Sequence, residues 1–201
     1  MNNMAKPGIY IVSLILIASL ISCNQKNRDN NNTSNEPTEE VNTIAANNKF
    51  SMELHNKLMN SFSMDWMERE SDPELYPDYY GGSFIDNDGH FVIALTNNNQ
   101  KTKELLEEAL ETESFKTETV QYSYKQMLRV MDSIDEFLVN NTIPDDHIVL
   151  THFAGSYVDV LENRVKVLFT EINQTVINSF KRDVTNSSLV IFEQGEIPDL
   201  Y

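Results

Sequence analysis

The chain has 201 residues, a single cysteine and a formal net charge of -16 at pH 7, enough length for one ordinary domain or two small ones. That acidity excludes nucleic-acid binding, because phosphates reward clustered Lys and Arg, and it excludes electrostatic docking on anionic lipid. One cysteine forms no intramolecular disulfide, so stability has to come from a packed core.

Residues 1–7 are short and polar, with Lys6 as the positive charge, and residues 9–21 run apolar except for Ser13 and Ser19. This is the pattern of a secretory leader, and the apolar run is too short to span a bilayer comfortably. The leader closes with Leu20-Ile21-Ser22-Cys23, which resembles the bacterial lipobox. The resemblance implies cleavage before Cys23, a diacylglycerol on its thiol and an N-acyl chain on the new terminus. The protein is then expected in the cell envelope, lipid-anchored to a bacterial membrane with its folded part exported. Each buried methylene contributes about 0.8 kcal/mol, so two or three acyl chains hold without help from basic residues. No other cofactor and no metal is expected. Residues 24–48 are rich in Asn, Thr, Ser and Glu and lack aromatics, so they read as a disordered tether.

Ser51 is the expected N-cap of the first helix, where Met52, Leu54, Leu58, Met59 and Phe62 recur near helical spacing. Trp66 and Met67 are expected to cover an edge of the core. Tyr76-Pro77-Asp78-Tyr79-Tyr80-Gly81-Gly82 is aromatic and turn-rich, and its paired glycines suit the start of a strand or a close contact. Residues 83–86 and 90–96 predict a hairpin turned by Asn87-Asp88-Gly89. Residues 100–113 predict a helix with Leu105, Leu106, Ala109 and Leu110 on one face, and residues 115–122 an extended segment. A second amphipathic helix is predicted over 123–139 and stopped by Asn140-Asn141.

The pattern then repeats. Gly155-Ser156-Tyr157-Val158-Asp159 echoes Gly82-Ser83-Phe84-Ile85-Asp86, and the strand from Arg164 to Thr170 echoes that from His90 to Thr96. A helix carrying Ile172, Val176, Ile177 and Phe180 and an extended stretch over 188–193 complete the copy. The fold class is therefore α+β, with two strand-strand-helix-strand units whose helices pack on one face of antiparallel hairpins. The divisions are 1–22 for the leader, 23–48 for the lipidated cysteine and tether, 49–142 for the first unit and 143–201 for the second unit and tail.

The stretch Tyr80-Gly81-Gly82-Ser83-Phe84-Ile85-Asp86, the strand Phe91-Val92-Ile93-Ala94-Leu95-Thr96 and Val120-Gln121-Tyr122-Ser123-Tyr124 resemble the pro-region of secreted bacterial serine proteases of the alpha-lytic protease and streptogrisin type. The second copy around Gly155 and Asn163-Arg164-Val165-Lys166-Val167 resembles the part of those pro-regions nearest the protease. The resemblance implies a folding chaperone and tight inhibitor whose C-terminal tail lies in the protease cleft. Here the sequence stops at Tyr201, so the expectation is action in trans on a separate protease.

The titratable residues give no catalytic set. No nucleophile elbow or free cysteine accompanies His55, His90, His147 and His152. Asp145, Asp146, His147 and His152 fit a solvated loop better than a metal site, and Asp86 with Asp88 fits turn chemistry better than a calcium loop. The expectation is a non-enzymatic protein that binds another protein, as a protease inhibitor or chaperone. The alternatives are capture of peptide or glycan and a structural role in the envelope. The candidate contact residues are Tyr76, Tyr79 and Tyr80 and, in the tail, Ile197, Leu200 and Tyr201.

Overall fold

The computed structural model describes residues 39–197, so the leader with Cys23, the tether up to residue 38, and Leu200 and Tyr201 lie outside the described residues. Helix α1 (Glu39–Phe62) leads into the short helix α2 (Trp66–Ser71) and a 3-10 turn (Pro73–Leu75). The first unit continues with β1 (Tyr80–Ile85), β2 (Phe91–Leu95), α3 (Gln100–Leu110) and β3 (Lys116–Thr119). After α4 (Tyr124–Leu138) and α5 (Ile148–His152) comes the second unit, β4 (Phe153–Asp159), β5 (Arg164–Phe169), α6 (Gln174–Asp183) and β6 (Val190–Gln194). Among the described residues no helix is long and apolar enough to cross a membrane.

Both units build the same mixed three-stranded sheet, in the orders β1-β2-β3 and β4-β5-β6. In each, an antiparallel hairpin is followed by a helix that carries the chain to a third strand parallel to the second. The correspondence extends to irregularities. A bulge separates Tyr80 from Gly82 in β1 and Phe153 from Gly155 in β4. The third strand ends its ladder in both through one amide, Val120 donating to the Leu95 carbonyl and Gly195 to that of Phe169.

Alternation along the central strands places the cores. Phe91, Ile93 and Leu95 are fully buried with Leu54, Leu58, Leu106 and Leu110 in the first, and Val165, Val167 and Phe169 with Val176 and Phe180 in the second. Helix α4 serves both cores. Met127, Val130, Ile134 and Phe137 belong to the second, whereas Tyr124 and Leu128 also pack against the first. Ser123 caps it with a reciprocal capping box through Gln126.

Three local expectations are corrected. Ser51 is not an N-cap, because α1 starts twelve residues earlier, at Glu39, so residues 39–48 are helical rather than tether. The extension has a tertiary cause: Asn47 Nδ2 donates to the Asp88 carbonyl at 3.1 Å and buried Ser51 Oγ to that of Gly89 at 2.6 Å. The helix thereby clasps the turn of the first hairpin, and extending an existing helix costs little. Trp66 and Met67 do not cover the core; they are 65% and 62% exposed. The inward residue of α2 is instead Arg69, whose guanidinium donates to the carbonyls of Met59 and Ser63 at the end of α1. Leu105 is likewise outside, because α3 buries the row Thr102, Leu106 and Leu110, spaced four residues apart.

The tip of the second hairpin ties the units together. Asn163, 4% exposed and left-handed at φ 53°, accepts from the amides of Gln121 and Tyr122 at 3.1 and 2.7 Å and donates to the Tyr122 carbonyl at 2.9 Å. Arg164 lies over the Tyr122 ring at 4.8 Å. At the same tip, Val160 covers Gly82, where a Cβ would fall 2.5 Å from its Cγ1.

Candidate protein-binding surface

The aromatic cluster is internal. Tyr76 and Tyr80 are 3% exposed and stack at 5.9 Å, with Phe62 and Tyr124 edge-on to them. Burial pushes the Tyr76 phenol up to about 12 and raises those of Tyr80 and Tyr124 further. Only Tyr79 of the three reaches the surface, beside a shallow cavity that it lines with Asp78, Thr96, Asn99 and Lys101. A stacking platform made of Tyr76, Tyr79 and Tyr80 is thus not available.

The histidines have structural partners. His55 Nδ1 lies 3.2 Å from Ser83 Oγ, which in turn lies 2.9 Å from the Tyr80 hydroxyl. Burial first and the Arg69 charge second lower the His55 pKa, the reverse of what an orienting carboxylate does for a base. His147 accepts from the Val149 amide through Nδ1 and meets Asp183 through Nε2 at 3.1 Å, and His152 Nδ1 meets the Ile148 carbonyl. Asp86, Asp88 and His90 bring three potential ligand atoms within 4.8 Å of one another. The Lys116 ammonium already occupies that corner, 2.7 Å from Asp86 Oδ2 and 3.0 Å from His90 Nδ1. Asp86 Oδ1 also accepts from the amides of Asp88 and His90, as turn chemistry requires.

The second sheet offers a different surface. Among the described residues strand β6 pairs with β5 alone, which leaves its outer edge without a strand partner there, and the chain runs on from it through Gly195, Glu196 and Ile197. Ile197 is 61% exposed and lines a shallow groove with Thr170, Gln194, Gly195 and Glu196. Gly195 is needed where the tail leaves, since a Cβ there would fall 2.9 Å from that of Leu168. On the sheet face turned from the core, Lys166 is almost enclosed by Glu162 and Glu193 at 2.8 Å and Asp159 at 3.2 Å. The hydrogen bonds that its ammonium donates to Glu162 and Glu193 hold it protonated well above the ordinary range. Carboxylate remains in excess around it, so this face presents negative charge beside the open edge.

The sequence pointed to the last strand through the repeat, and to Ile197 through the tail that the pro-region resemblance implies. It did not reveal Asn163 as the link between units, because its partners at 121 and 122 are about forty residues away. A turn asparagine with a left-handed backbone is the one local signal.

Residues 37–120 match the family model of a Pro-like N-terminal domain, and residues 125–195 match that of a Pro-like C-terminal domain. No curated protein matches the chain. The boundary between the matches falls at the segment that Asn163 grips, and each match contains one of the two repeated sheets. Through these two matches in series the chain resembles the pro-regions of proteases.

Proposed function

We propose that this is a non-catalytic, lipid-anchored protein of the cell envelope that binds another protein, acting in trans as inhibitor or chaperone of a secreted serine protease. The observation that carries the reading is the succession of two Pro-like domains, the second ending in an open edge strand that continues into an exposed tail. An open edge pairs with a partner's strand through main-chain hydrogen bonds, and the side chains that follow supply selectivity. In this reading β6 provides the edge, and Ile197, with Leu200 and Tyr201, provides the tail. The acidic face around Lys166 suits a basic partner, since complementary charge speeds association. The lipid on Cys23 keeps the complex at the membrane.

The test is an inhibition assay of the full chain against purified proteases of the alpha-lytic and streptogrisin type. Slowing at micromolar concentration is the expected outcome, weakened by deletion of residues 195–201. The anchor is tested separately by fractionation, in which Cys23→Ala moves the protein from membrane to soluble fraction. A variant that stays in the membrane pellet contradicts lipid anchoring.

A further inference from the structure

The repeat supplies its own comparison for the outer face of the second sheet. Gly82 and Gly155 hold the same place after the bulge, Gly82 opposite Ala94 and Gly155 opposite Leu168. Above Gly82 sits the Val160 side chain, delivered by the tip of the neighbouring hairpin, and Val92 and Ala94 beside it are buried. Above Gly155, among the described residues, nothing approaches within 4 Å. Leu168, its partner across the strand pair, packs on the other side against Gly195. The register places Tyr157 and Ile191 on this same outer face, on either side of Lys166, and Tyr157 is 41% exposed. One glycine seat is thus filled from within the molecule, and its counterpart is open.

We propose that the Gly155 seat receives a branched aliphatic side chain from the hairpin tip of a basic protein partner, as the Gly82 seat receives Val160. The filled copy defines the shape of the guest, a valine-sized side chain on a narrow turn. The carboxylates of Asp159, Glu162 and Glu193, gathered around the single ammonium of Lys166, define its charge, because flanking Lys or Arg would meet an acidic rim. They also disfavour a second copy of this chain, whose own tip carries Asp159 and Glu162 beside exposed Leu161. The seat lies on β4, the strand at the opposite edge of the sheet from β6, so a partner reaches it across the outer face over β5. The inference rests on the protein-binding reading and specifies the chemistry of the partner at that surface.

The probe is a disulfide-closed β-hairpin peptide with a Lys-Val-Lys tip, titrated into the 15N-labelled full chain and followed by amide shifts. The expected result is shifts at residues 154–157, 168 and 191, at least about tenfold weaker binding by Gly155→Leu, and none by a Glu-Val-Glu tip. Gly155 has an ordinary backbone angle and free space, so Gly155→Leu should fold, and its spectrum away from the seat checks this. Shifts confined to other surfaces, unchanged binding by Gly155→Leu, or self-association of the chain through this face overturn the proposal. Hairpin binding without any slowing of the proteases removes the inhibitor reading and leaves the seat. Inhibition without contact at Gly155 does the reverse.

Discussion

At the scale of the residue, Asn163 has the largest expected effect for its size. Asn163→Ala strips partners from two amides and a carbonyl and places a Cβ-bearing residue without a compensating side chain in the left-handed region, so about 2–4 kcal/mol of stability should be lost. Asn163→Gly keeps the backbone easy and isolates the hydrogen-bond share. Urea denaturation of the pair measures both. His55 gives the pH dependence. Its pKa is depressed in the folded protein, so the unfolded chain takes up the proton first as pH falls below about 6.5. Stability is then full above that value and declines below it until the folded form also protonates. His55→Gln should flatten the slope below about pH 6.5, with Ser83 still offered a hydrogen-bond partner. An unchanged slope would place the acid sensitivity elsewhere.

At the scale of the element, strand alternation made the sheets legible: Phe91, Ile93 and Leu95 read as one buried face, and so do Val165, Val167 and Phe169. Ile93→Asp and Val167→Asp should each cost several kcal/mol, one in each core, because each puts an unpaired carboxylate among apolar side chains. A small effect at either site would mean that its face is not closed. The start of α1 was not legible. Residues 39–48 have a polar composition, and what holds them helical is the turn at 87–89, a contact that no local pattern encodes. Ser51→Ala should therefore cost about 1 kcal/mol through the lost bond to Gly89. Trp66 shows the opposite failure: its hydrophobicity suggested burial, but Arg69 took the inward place because its guanidinium closes two carbonyls at the end of α1.

At the scale of the whole molecule, two copies of one unit differ in what covers them. The first has its outer face covered by Val160 and its turn clasped by α1, whereas among the described residues the second leaves an outer face and a tail open. That asymmetry was only half visible in the sequence. The repeat and the tail could be read directly, but which glycine is covered depends on how the units dock. The account makes the open half the binding half. The most direct test is the rate of an alpha-lytic-type protease with the full chain present at micromolar concentration. The account predicts saturable slowing that deletion of residues 195–201 weakens, and a rate unchanged by the intact chain would contradict it.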